Sequence, residues 1–204
     1  MTEFDVFSYG VIAKSTMYLL KGKYPGKSEY AEFSQKLNHI GGEAANSSLV
    51  LSRLGAKVKL DGNWINPDDD ANFITDVFDK YHIDYSRITF KECNSPKEML
   101  VVDSNSRTIF GTYGQLLEDK SWNQPHECDV KEAKVICLDP FFGDASRQVA
   151  TLAIKHNKPV ITVDCKFNDP IFLAASAIVI SAEYLRDAYP SLSTESVIEE
   201  YRTR

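Results

Sequence analysis

Two adjacent glycines, Gly41-Gly42, end an extended stretch, and Glu43-Ala44-Ala45-Asn46 follows at once. Glycine permits positive φ and lets another group approach without a Cβ in the way, so the pair makes a hinge or a ligand-facing turn. Asn46, one helical turn further on, offers amide donors and a carbonyl acceptor to a hydroxylated ligand. Together these residues point to a small-molecule site with a movable cover. Two further candidates stand where apolar runs stop: Asp139 after Val135-Ile136-Cys137-Leu138, and Asp164 after Val160-Ile161-Thr162-Val163. In a parallel sheet both carboxylates would lie at the carboxyl ends of strands, where such sheets carry their sites.

The elements that would position these residues follow from spacing. Ala44, Ala45, Leu49, Val50 and Leu54 recur at helical intervals, with Gly55 as a C-terminal glycine cap and Ala56 to Leu60 as the next strand. Val6, Phe7 and Tyr9 form a short buried strand before Gly10. Asn66 is a good helix cap, Pro67 suits a first turn, and Phe73, Ile74, Val77, Phe78 and Tyr81 make the apolar stripe. The neighbouring Asp68, Asp69 and Asp70 could hold a metal, but at a helix start they favour capping and dipole pairing. His82, just past that helix, reads as a dipole partner rather than a catalyst.

Lys21 to Lys27 is a turn-rich connection, and Ser28 to Lys36 reads as a returning strand. Met99 to Val102 and Thr108 to Phe110 form a hairpin around Asp103-Ser104-Asn105-Ser106-Arg107. Trp122 to Lys131 reads as a connector. A helix runs from Asp144, its cap, to about His156, and Ser193 or Thr194 caps a last helix containing Val197, Ile198 and Tyr201. Apolar runs alternating with helices predict an α/β chain with a mostly parallel sheet covered on both faces.

Composition narrows the function. The 204 residues suffice for one sizeable core with a small appendage, and 43% hydrophobic with 25% charged residues is the balance of a globular protein. A formal net charge of −6 gives no support for nucleic-acid binding. No apolar run is long enough for a membrane span, and Met1-Thr2-Glu3-Phe4-Asp5 lacks the basic start of a signal peptide. Cys93, Cys128, Cys137 and Cys165 have no Cys-x-x-Cys spacing, so reduced thiols in a cytoplasmic protein are expected.

The run Gly41-Gly42-x-x-Ala45-Asn46, with its helix and Leu54-Gly55-Ala56, resembles the first signature of the ribokinase-like (pfkB) carbohydrate kinases. The resemblance extends from about Phe4 to Glu200. It implies a three-layer α/β/α fold with a small β-sheet lid, whose segments would be residues 14–38 and 97–113, in one incomplete domain spanning 1–204. It implies a sugar or nucleoside as substrate, ATP and Mg2+ as cofactors, and transfer of the γ-phosphoryl to a hydroxyl. Carried over to this sequence, the substrate-binding residues are Gly41, Gly42, Asn46, Ser15, Asp139 and Arg107. The family usually carries an aspartate where Ser15 stands, and serine bonds a hydroxyl without the charge that strengthens such a bond.

Phosphoryl transfer needs a base for the acceptor and donors for the moving phosphoryl group. The family keeps these in a Gly-Ala-Gly-Asp segment of its C-terminal half, and no such string occurs in the 204 residues. Phe141-Phe142-Gly143-Asp144 comes nearest, far upstream of the family position. Ser181 and Tyr184 stand at the positions of the family's Asn-x-x-Glu motif, and Glu183 is one residue out of register. The C-terminal part of the fold is therefore expected to be missing, and this chain alone to be inactive, with no catalytic residue of its own. The alternative is a non-catalytic polyol-binding or interaction protein derived from the fold. Either way, an uncovered sheet edge predicts self-association, through that edge or through the lid strands.

Overall fold

The computed structural model describes residues 3–203. β1 (Phe4–Gly10) is buried along nearly its whole length, as an apolar run without alternation requires. The chain then leaves for β2 (Ala13–Leu20) and returns as β3 (Phe33–Gly41), which runs directly into α1 (Glu43–Arg53). Next come β4 (Val58–Gly62), α2 (Asp69–Lys80) and the hairpin β5 (Lys97–Val102) and β6 (Arg107–Gly111). Two six-residue helices follow, α3 (Gly114–Asp119) and α4 (Glu127–Glu132), and then β7 (Ala133–Leu138) and α5 (Asp144–Lys155). β8 (Val160–Val163), α6 (Pro170–Ala174), β9 (Ala175–Val179), α7 (Ala182–Ala188) and α8 (Thr194–Thr203) complete the order.

β4, β1, β7, β8 and β9 form, in that order, a five-stranded sheet whose pairings are all parallel. Strand period assigns its two faces. Phe7 and Tyr9 stand beside Ile136 and Leu138, and these four share a core with Val130 of α4 and Val149 of α5. Leu60, beside Ser8, points the other way and packs with Ala44 and Ala45 of α1 and Ile74 and Phe78 of α2. Three layers result. At one edge, β9 and its surroundings leave Leu173 79%, Val179 62% and Ile198 47% exposed.

The second sheet, β3-β2-β5-β6, is mixed: β2 and β5 run parallel, and the two outer pairings are antiparallel. It grows out of the carboxyl end of β1 and leads back into α1, so it forms a flap beside the end of the parallel sheet.

Several boundaries differ from the sequence reading. The returning lid strand is Phe33–Gly41 rather than 28–36, because its mostly exposed residues carry no alternation to fix its limits. Asp68, not Asn66, caps α2: its Oδ1 accepts from the N–H groups of Asp70 and Ala71 at 3.0 and 3.2 Å, while the Asn66 side chain donates to Asp68. Asp144 is the first residue of α5 rather than its cap, and its carboxylate pairs with Arg147 one turn on. The stretch read as a connector holds α4, too short to reveal a helical period. The strand expected over Ala56 to Leu60 is Val58–Gly62.

Candidate substrate site

Gly42 occupies the N-cap position of α1 with φ 83, a conformation that disfavours L side chains. A Cβ there would also run into the Val11 carbonyl. Lacking a side chain, Gly42 cannot cap the helix, and Asp139 does so from the end of β7. Its Oδ2 accepts from the N–H of Ala44 at 3.2 Å and of Val11 at 2.8 Å. Asp139 is only 4% exposed, and burial, reinforced by the Glu43 charge, holds its carboxyl well above the ordinary aspartate value.

Ser15 is buried in β2, and its hydroxyl donates to Glu98 of β5. Tyr113 donates to the other oxygen of the same carboxylate. A cleft of about 280 Å3 opens here, lined by Val11, Glu43, Glu98, Ile109, Tyr113, Leu116 and Phe141. Desolvation by the surrounding cleft raises the Glu43 carboxyl, Glu98 and Asp164 raise it further, and Arg107 opposes them. Pairing register sets Arg107 on the same face of β6 as Ile109, which is the face toward the cleft.

Of the residues expected from sequence, none lines this cleft directly; Ser15, Gly41, Gly42 and Asp139 stand behind its lining, Ser15 bonded to Glu98, Gly41 against Glu98, Gly42 against Val11 and Asp139 bonded to the Val11 N–H, with Arg107 on the strand that covers it. Asn46 is exposed on the first turn of α1. Glu98, Tyr113 and Glu43 line the same cleft and were not expected. A signal for Glu98 does exist: it is the one carboxylate in a lid strand whose other residues are Lys97, Met99, Leu100, Val101 and Val102. A larger hollow of about 650 Å3 follows the edge of β9 and contains none of these groups.

The pfkB family carbohydrate kinase model matches residues 10–184. The chain belongs to the pfkB carbohydrate kinase family. Among curated proteins none matches it. Solved structures similar to this pfkB chain include a fructokinase of Halothermothrix orenii, at 19% identity and TM-score 0.78, with 97% of this chain and 75% of that one covered. Arabidopsis thaliana ribokinase complexed with ribose and ATP aligns over 100% of this chain and 69% of that one, at 14% identity and TM-score 0.75. A Methanocaldococcus jannaschii nucleoside kinase aligns over 98% and 69%, at 14% identity and TM-score 0.69. At these identities the likeness is one of fold, and the pfkB chain here spans about two thirds to three quarters of theirs.

At the positions of the family's Asn-x-x-Glu motif, this pfkB chain has a different local structure. Ser181 caps α7, accepting from Tyr184 N at 3.1 Å, and its own N–H and hydroxyl both donate to Asp164, at 2.7 and 3.0 Å. Asp164 thereby fastens the end of β8 to the start of α7. Glu183 is an exposed first-turn acid. Among the described residues no group of three or more His, Cys, Asp or Glu is placed to hold a metal ion, and the four cysteines are free. No described helix is long and apolar enough to cross a membrane.

Proposed function

We propose that this chain supplies the acceptor side of a sugar or nucleoside kinase site: it binds a polyol under the lid and presents one hydroxyl for phosphorylation by ATP. One observation carries this reading. Val11 and Glu43, the first residue of α1 after the Gly41-Gly42 turn, line a cleft roofed by β5 and β6, and the Asp139 carboxylate ties Val11 to the start of that helix from behind. On this reading a ligand reaching past the cleft lining meets Ser15, Asp139 and the backbone at Gly41 and Gly42, Asn46 meets it from the exposed first turn of α1, and Arg107 reaches in from the lid. Hinging at the glycine pair opens and closes the lid, which excludes water from the acceptor hydroxyl.

ATP and Mg2+ belong to this reading through the family, and when bound they supply the phosphoryl group and the charge that neutralises it. Ser181 and Tyr184 do not fit a metal-bridged triphosphate, because Ser181 is committed to Asp164 and to the cap of α7. That misfit favours a second reading, a polyol-binding protein without turnover.

The test is ligand-observed NMR on the purified 204-residue chain with D-ribose, D-fructose and adenosine, followed by an assay of ADP release. We expect one or more of the three to bind and no sustained ADP release from this chain alone. Binding by none would overturn the polyol site, and sustained ADP release would overturn the inactivity. Sedimentation of the same sample checks the self-association expected through the lid, where Phe33, Met99 and Phe110 are exposed, or through the β9 edge. A clean monomer at high concentration would count against it.

A further inference from the structure

Glu98 is held as a ligand-binding group is held. It pairs in register with Ser15 on β2 and with Gly111 on β6. Ser15 donates to one carboxylate oxygen and Tyr113 to the other, which fixes the carboxylate in orientation. Two glycines clear its surroundings. A Cβ on Gly41 would collide with both the Ser15 hydroxyl and the Glu98 carboxylate. A Cβ on Gly111 would come within 2.6 Å of the Tyr113 ring, the ring whose hydroxyl reaches Glu98. The first glycine of the signature thus has a second use here: it makes room for a charge.

We propose that Glu98 is the substrate-binding carboxylate of this cleft, gripping a polyol hydroxyl where Ser15 brings no charge, and that it confines the site to ligands with no anion at that position. The proposal rests on reading the cleft as the acceptor site. Each carboxylate oxygen offers two lone-pair directions, and Ser15 and Tyr113 take one apiece. The remaining directions accept ligand hydroxyls through charge-assisted bonds, the stronger kind. Because two donors already fix the group, a ligand does not have to order it.

A second acceptor stands nearby. His39 is the register partner of Ser15 on β3, and its Nδ1 lies 2.7 Å from the Ile40 carbonyl. That contact puts the proton on Nδ1 and leaves Nε2 as a buried acceptor with no partner. A carboxylate or phosphate on the ligand would meet Glu98 and Glu43 at once, across walls of Ile109, Leu116 and Phe141 that screen little. Arg107, on the opposite strand of the lid, is the cation on that face.

The test measures dissociation constants by calorimetry for D-ribose, D-fructose, adenosine and 2-keto-D-gluconate with the 204-residue chain and with E98Q, E98D and the double variant S15D/E98Q. Thermal melts verify that each variant is folded. We expect at least one uncharged ligand to bind the unaltered chain, with tenfold or greater weakening in E98Q, intermediate affinity in E98D, and partial recovery in the double variant. The sugar acid should bind at least tenfold more weakly than the best neutral ligand, and E98Q should narrow that gap. A folded E98Q that binds the neutral ligand as tightly as the unaltered chain overturns the proposal, as does preference for the sugar acid. Failure of the unaltered chain to bind any of the four overturns the polyol reading beneath it.

Discussion

Asp139 and Val11 stand 128 residues apart and share a hydrogen bond, the Val11 N–H donating to Oδ2 of Asp139 at 2.8 Å. The same oxygen accepts from Ala44, at the start of α1. One carboxylate oxygen thus joins the end of β7, the turn after β1 and the helix that follows the glycine pair. The first N–H groups of a helix have no partner within it, and Asp139 satisfies one that Gly42 cannot.

Asp139→Ala should therefore cost stability, about 1–3 kcal/mol for each buried N–H left without an acceptor. Asp139→Asn keeps an acceptor oxygen and should cost less. The pH dependence has a definite sign. Burial, with Glu43, raises the folded-state pKa above the unfolded value. The folded state then holds the proton longer, and its stability is lost as pH rises from the unfolded pKa through the folded one. Urea melts between pH 4 and 7 should show that decline in the unaltered protein and a shallower one in D139N. Parallel curves would refute the assignment, and an undiminished D139A would refute the capping role.

Asp68 titrates in the opposite sense. The Asn66 side chain, followed by the helix N–H groups and Lys97, holds its carboxyl below the ordinary aspartate value. Its contribution is present above the unfolded pKa and disappears as pH falls through the depressed one. Asp68→Ala should lower stability at pH 7 by about 1 kcal/mol, the usual effect of losing an N-cap. The difference from the unaltered chain should shrink toward zero as pH falls through that depressed value. A difference that stays constant across this range would mean that Asp68 acts through packing alone.

Much of this fold is legible in the sequence because its periods are clear. The apolar run Val6, Phe7 and Tyr9, the hairpin around Asp103, and the stripe Phe73, Ile74, Val77 and Phe78 each declare their type, and the structure has them in β1, β5–β6 and α2. Short or polar pieces do not. The exposed β3 has no alternation, and the six residues of α4 do not complete two helical turns. The Gly41-Gly42 signature locates the cleft, but the Ser15–Glu98 bond spans 83 positions. It depends on the parallel register of β2 with β5, which no local pattern states. The same holds for Tyr113, whose direction is set by the space over Gly111.

The core beneath the site is tied by a buried ion cluster. Asp129 is fully buried, and its carboxylate meets Lys59 Nζ at 2.6 Å and Arg87 Nε at 3.0 Å. The three belong to different segments: β4, the loop after α2, and α4. Truncating the acid leaves Lys59, whose side chain is only 8% exposed, with Asp84 at 4.0 Å as its remaining carboxylate, whereas Arg87 is 35% exposed and can turn to water. An uncompensated buried charge of this kind costs about 3–5 kcal/mol. Asp129→Ala should therefore lower stability by that order in urea denaturation, and Arg87→Ala by considerably less. Replacing both buried partners, Lys59→Met with Asp129→Leu, should restore much of the loss, because the charges then left without these partners, Arg87 and Asp84, are both partly exposed to water. A double variant as unstable as D129A would place the cost in lost packing around α4 rather than in the stranded Lys59 charge.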